Sequence, residues 1–273
     1  MIIDSHVHVW VQDPDHYPWQ PIGGYVPENE APAEKLLALM DAAGVDGAVL
    51  VQPTPYGWDN SYLLDAAGRY PDRFRCVCLV DPLAEDGPDD LRRLVGEHRI
   101  AGIRINWNIH PAEVWLTNAH HHSLWKTASK LEVPICLQLT PDYLHLLGGM
   151  AEEYGVRVVV DHLGRPVKAA SPSNAQFKAL LGLAVQENIF VKLSGLNYYS
   201  GEAAPYRDVC PLIEAVCEQF GVQRCMWGSD YPFVQDHWSY SELLSTVKDD
   251  WNLSSEHLGW VLGGTASRLW WRQ

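Results

Sequence analysis

The feature of this 273-residue chain that most limits its fold is an alternation of two kinds of segment. Eight short apolar runs recur: MIIDSHVHV (1–9), DGAVLVQ (46–52), RCVCLV (75–80), IAGIRIN (100–106), VPICLQL (133–139), VRVVVDH (156–162), IFVKLSG (189–195) and VQRCMWG (222–228). Several are almost continuously apolar, the pattern of parallel strands covered on both faces. Between and after them lie segments with helical spacing, at 31–44, 59–71, 88–98, 123–132, 141–155, 174–187, 205–221 and 239–251. In APAEKLLALMDAAG, for example, Leu36, Leu37 and Met40 fall on one helical face and Gly44 supplies a stop. Eight βα units in a chain of this length predict an α/β fold, a (β/α)8 TIM barrel forming a single domain over 1–273. The competing architecture, an open doubly wound sheet, calls for a glycine-rich phosphate loop, and no G-x-G-x-x-G occurs.

Composition narrows the function classes. Hydrophobic residues make up 47% of the chain, and 12 tryptophans add large apolar area, enough for a sizeable core. The formal charge is −14 and no basic patch stands out, which argues against nucleic-acid binding. An anionic substrate would need locally placed cations. No run reaches the length of a membrane-spanning helix, and Asp4, His6 and His8 interrupt the N-terminal apolar run as no signal peptide would. The six cysteines form no C-x-x-C and fall in apolar or helical runs, so they read as buried free thiols of a reducing compartment. The expectation is a cytoplasmic protein with a small-molecule substrate. The tryptophans near 251–271 suit packing on the barrel or on a partner, which leaves a homo-oligomer open.

In a TIM barrel the chemistry sits at the C-terminal ends of the strands. The first strand brings His6 and His8 to one face, with Asp4 behind them, while Ile3, Val7 and Val9 point the other way. An H-x-H pair alone fits either a functional site or a solvated strand. Later strand ends add Gln52 and Thr54, Arg104 and Asn106, Gln138 and Thr140, His162 and Arg165, Lys192 and Ser194, and Asp230 in G-S-D-Y-P. Asp161, by alternation with His162, is expected outside the lumen, and Lys192 is expected to be structural. Their convergence on one barrel mouth favours a site over separate structural roles. The segment VQDPDHYPWQPIGGYVPENE (11–30) is too long for a plain connection and is expected to form a loop over the mouth, with Trp19, Tyr25 and also Trp58 as candidate walls. The run His120–His122 is expected on a solvated face ahead of a helix.

H-x-H on strand 1, D-H-L-G-R-P at strand 6, K-L-S-G at strand 7 and G-S-D-Y-P at strand 8 together resemble the amidohydrolase superfamily. The resemblance is to its amidohydrolase-related branch, which contains lactonases of sugar acids and of pyrone-dicarboxylate type. It implies a hydrolase that opens a lactone by general-base attack of water, with His6, His8, His162 and Asp230 as catalytic residues. By the same resemblance Arg104 and Arg165 grip a substrate carboxylate or hydroxyls, Thr54 stands where a serine is usual, and Gln52, Asn106, Tyr25 and Trp19 are candidate substrate contacts. The branch works either without metal or with one zinc, for which His6, His8, His162 and Asp230 are the candidate ligands. Arg104 replaces the strand 4 lysine or glutamate bridge of binuclear members, and Gln138 and Thr140 occupy strand 5 where decarboxylases place a histidine. A metal-dependent decarboxylase or a lactone isomerase remains the alternative.

Overall fold

A computed structural model describes residues 1–23, 25–98, 100–236 and 238–271. The strands are β1 (Ile3–Val7), β2 (Gly47–Val51), β3 (Phe74–Leu79), β4 (Gly102–Asn106), β5 (Ile135–Gln138), β6 (Val158–Val160), β7 (Ile189–Leu193) and β8 (Cys225–Trp227). Each pairs in parallel with the next, in chain order. The helices are α1 (Ala33–Ala43), α2 (Ser61–Arg69), α3 (Gly87–His98), α4 (Ala112–Thr117), α5 (Ala119–Lys130), α6 (Leu144–Tyr154), α7 (Ala175–Gly182), α8 (Leu196–Tyr199), α9 (Cys210–Phe220), α10 (Tyr240–Asp249), α11 (Ser255–Gly259) and α12 (Thr265–Trp270). The architecture is the expected (β/α)8 barrel. Among the described residues no helix is long and apolar enough to cross a membrane.

The barrel closes between β1 and β8. Val7 bridges Tyr231 in parallel, His8 N donates to Tyr231 O at 2.7 Å, and Asp230 N donates to His6 O at 2.9 Å. Gly228 permits this approach, because a Cβ there would stand 2.8 Å from His6 Cβ. Buried Asp4 ties the seam together: it accepts from Ser229 N and from Tyr240 Oη, both at 2.9 Å.

The lumen has an apolar floor. Ile3, Val49, Val51, Val77, Cys136, Val159, Phe190 and Met226 meet there, and Trp270 of α12 packs in from below. Trp270 and Trp251 are therefore buried in this chain itself. Ile3 inside the lumen corrects the sequence expectation. A break in the β1–β2 register between Asp4 and Val7 interrupts strict alternation, so Ile3 and His6 share the inner side while Asp4 turns toward α10.

The histidine run corrects a second expectation. Asn118 caps α5 by accepting from His120 N and His121 N, which places His120–His122 inside the first turn of the helix. His121 is fully buried. Its Nε2 accepts from Trp107 Nε1 at 3.2 Å and Trp125 Nε1 at 2.9 Å, and its Nδ1 lies 2.8 Å from Trp115 O. It is the polar centre of a tryptophan cluster, not part of a solvated face. The loop after β1 is pinned at its base, where Trp10 and Ala31 form an antiparallel bridge. It is pinned again where Gln20 N and Ile22 N donate to Pro55 O and Thr54 O.

Candidate active site

His6 lies on β1 and His8 just past its end, both buried beneath the mouth. Their Nε2 atoms are 3.2 Å apart. His8 Nδ1 lies 2.8 Å from Val51 O, an acceptor only, so the hydrogen of neutral His8 sits on Nδ1 and its Nε2 lone pair faces the centre. Asp230, at the start of the loop after β8, adopts φ 59° and aims its carboxylate at the same point. Its Oδ1 lies 3.6 Å from His6 Nε2, 3.5 Å from His8 Nε2 and 3.9 Å from His162 Nε2. Its Oδ2 accepts from Tyr198 Oη at 2.5 Å. The carboxylate thus has one tethered oxygen and one presented to three imidazoles.

His162 reaches the lumen because the chain turns sharply after β6. His162, Leu163 and Arg165 all have positive φ, at 53°, 51° and 51°. This turn breaks strand alternation and brings Asp161 inward as well, which corrects its expected placement outside the lumen. His162 Nδ1 lies 2.9 Å from Ser194 Oγ. Gly195 makes room there, since a Cβ would stand 2.8 Å from His162 Nδ1 and from Tyr198 Cδ2.

Beneath the histidines lies a second charged layer. Asp161 is fully buried. Arg104 Nε donates to its Oδ2 at 3.0 Å, and its Oδ1 stands 3.1 Å from Lys192 Nζ and 3.3 Å from His6 Nδ1. Lys192 Nζ is also 3.0 Å from His6 Nδ1 and hydrogen-bonds to it.

These contacts set the protonation states. Burial alone would raise the Asp161 carboxyl, but the cations Lys192 and Arg104 and neighbouring His6 hold it well below the usual carboxylate range. Burial would likewise raise Asp230, and the neighbouring His162, His8 and His6 hold it below that range. Burial pushes His162 down to about 4 against the pull of Asp230 and Asp161. His6 is also driven down, by burial first and then by the Lys192 ammonium. At neutral pH the centre is an ionised carboxylate facing neutral His6 and His162.

The donor set suits one divalent metal. His6, His8 and Asp230 can each offer one ligand atom, with separations of 3.2, 3.6 and 3.5 Å. A tetrahedral zinc with bonds of about 2.0–2.1 Å holds its ligand atoms about 3.3–3.4 Å apart.

The remaining candidate residues scatter around this centre. Arg165 is half-buried with its guanidinium 4.9 Å from the Tyr198 ring centroid. Among the described residues no carboxylate lies within ion-pair distance of Arg165. Gln52 is buried and donates from Nε2 to Asp59 O at 2.5 Å, while its Oε1 and Asn106 Oδ1 have no hydrogen-bond partner among the described residues. Thr54 begins a short 3-10 turn after β2. Tyr25 packs 6.1 Å from Phe233, whose ring lies 5.6 Å from that of His8. Trp19 instead stacks on Tyr56 at 4.6 Å. Tyr198, in the short helix α8 that follows β7, is a further site residue that no strand-end pattern in the sequence marks.

The chain is similar to known proteins over most of its length. Residues 3–272 match the family described as Amidohydrolase. An L-fucono-1,5-lactonase from Burkholderia ambifaria is 31% identical over 232 residues, 84% of this chain and 80% of the relative. A 4-sulfomuconolactone hydrolase from Rhizobium radiobacter is 30% identical over 229 residues, covering 84% of this chain and 75% of the relative. A solved amidohydrolase from Burkholderia multivorans with bound zinc superposes with a TM-score of 0.82 at 25% identity, covering 98% of each chain.

Proposed function

The chain belongs to the amidohydrolase family, and we propose that it is a lactonase, opening the internal ester of a sugar acid or of an aromatic-degradation acid. The observation that carries this reading is the single free oxygen of Asp230, Oδ1, facing the Nε2 atoms of His6, His8 and His162.

A neutral water attacks an ester carbonyl slowly unless a base takes its proton. Asp230 Oδ1 is ionised and untethered, so it takes that proton as the water oxygen bonds to the carbonyl carbon. The carbonyl π electrons move to oxygen. The resulting oxyanion is stabilised by hydrogen-bond donors already in place. His162 supplies one when Ser194 Oγ donates to its Nδ1 and leaves the hydrogen on Nε2. Collapse of the tetrahedral intermediate breaks the bond to the ring oxygen. That alkoxide takes the proton back from Asp230, giving the hydroxy acid and restoring the carboxylate. A bound zinc, held by His6, His8 and Asp230 with His162 beside them, would polarise the carbonyl in addition.

Arg104 and Arg165 orient the substrate. Arg104 is already committed through Nε to Asp161, whereas Arg165 has no anion of its own among the described residues. One uncompensated guanidinium fits a lactone with one carboxylate, or with hydroxyls. Tyr25 and Phe233 wall the His8 side, and Gln52, Thr54 and Asn106 line the strand ends. The free cysteines suit a cytoplasmic enzyme. Acid release from a panel of sugar-acid, muconolactone and pyrone-type lactones tests the reading, and no turnover across that panel would reject it.

A further inference from the structure

The three imidazoles differ in what stands behind them. Zinc sites place an acceptor, a carbonyl or carboxylate, behind each ligating histidine, so that the rear nitrogen carries the hydrogen and the front one keeps its lone pair. His8 obeys this rule through Val51 O at 2.8 Å. His6 does not. Behind its Nδ1, at 3.0 Å and hydrogen-bonded, is Lys192 Nζ, and the Asp161 carboxylate stands farther off at 3.3 Å. An ammonium has three N–H groups and no lone pair to offer.

With Lys192 donating to Nδ1, the hydrogen of neutral His6 sits on Nε2. That hydrogen points at His8 Nε2, 3.2 Å away, whose lone pair is free because its own hydrogen is on Nδ1. The result is a head-to-tail chain, Lys192 to His6 to His8 to the Val51 carbonyl, in which each donor meets an acceptor. A metal at the front of His6 requires the opposite tautomer, with the hydrogen on Nδ1 directed at Asp161. Lys192 would then lose His6 as an acceptor, keep Asp161 Oδ1 at 3.1 Å, and face an N–H group 3.0 Å away.

We propose that Lys192 is a positioning residue that holds His6 as its Nε2–H tautomer and thereby keeps the metal affinity of the centre low. Lys192 cannot swing away. It is fully buried, its Nζ lies 3.1 Å from Asp161 Oδ1, and it sits 5.5 Å above the centroid of the Trp270 ring. Removing the ammonium leaves the Asp161 carboxylate behind His6 Nδ1, which is the arrangement a zinc ligand needs. This inference concerns tautomer and affinity, and its readouts contain no substrate, so its failure is separate from failure of the lactonase reading.

The test uses the metal-stripped full-length chain and Zn²⁺, titrated in competition with a chromophoric chelator. Lys192→Met preserves length and sets a thioether against Trp270. It should bind Zn²⁺ about 10- to 100-fold more tightly than the native chain, the size of effect usual for groups behind a metal ligand. Equal or weaker binding by a folded variant overturns the proposal. The native protein gives an independent answer through ¹⁵N-histidine NMR without metal. The hydrogen of His6 should be on Nε2, and a hydrogen found on Nδ1 overturns the proposal whether or not the variant folds.

Discussion

Tyr198 donates its phenolic hydrogen to Asp230 Oδ2 at 2.5 Å and so decides which oxygen of the carboxylate is free to act. The same ring lies under the Arg165 guanidinium and edge-on to His162, with centroids 5.6 Å apart. One side chain therefore contacts the Asp230 carboxylate, the His162 imidazole and the Arg165 guanidinium. Tyr198→Phe keeps the ring contacts and removes only the hydrogen bond. A bond to an ionised acceptor contributes about 2 kcal/mol, which corresponds to about 30-fold in rate. We expect kcat to fall by about that factor with little change in KM. An unchanged kcat would show that Asp230 is held by its backbone alone.

Asp230→Asn tests the base itself. The position has φ 59°, a conformation that asparagine accepts as readily as aspartate, and the backbone bond to His6 O is unaffected. The fold should survive, as judged by circular dichroism and thermal melting. Turnover should drop by about 10³-fold, within the range attributed to general-base catalysis. A variant with near-native turnover would remove Asp230 from the mechanism.

The barrel was legible in the sequence because strand and helix periodicities differ and recur, and because seven of the eight strand ends carried polar residues a core would reject. Residues whose orientation depends on departures from regular geometry were not legible. The register break in β1 turned Ile3 inward, and the positive-φ turn after β6 brought Asp161 in beside His162. Alternation predicts the opposite for both. His121 departs from its sequence pattern for a related reason. A run of histidines looks solvated until three tryptophans from separate positions, Trp107, Trp115 and Trp125, close around its middle member. Tyr198 carried no periodic signal, and only the fold shows that it reaches Asp230.

Arg165→Met should separate substrates by charge. Both residues meet the same backbone demand at φ 51°, so the change removes the guanidinium without adding strain of its own. A charge-assisted hydrogen bond to a carboxylate contributes about 1.5–3 kcal/mol. For a lactone bearing a carboxylate, KM should therefore rise by about 10- to 100-fold. For an uncharged sugar lactone it should change little. Equal effects on both substrates would place Arg165 in a structural role.

His121 should make stability depend on pH in a defined window. Burial holds its imidazole down to about 4, below its ordinary value of 6.5, because the folded protein needs Nε2 as an acceptor for two indole N–H groups. The unfolded chain takes up a proton as pH falls through 6.5, while the folded protein resists until about 4. The contribution is thus complete above the unfolded value, is lost progressively between the two, and is constant below the lower one. A shift of this size corresponds to at most about 3 kcal/mol. His121→Gln keeps an acceptor oxygen but does not titrate. In urea unfolding, the native chain's advantage over this variant should be largest at neutral pH and shrink steadily as the pH approaches 4. An advantage that stays constant over that range would mean that His121 takes up its proton in the folded protein as readily as in the unfolded chain, and that the tryptophan cluster does not set its protonation.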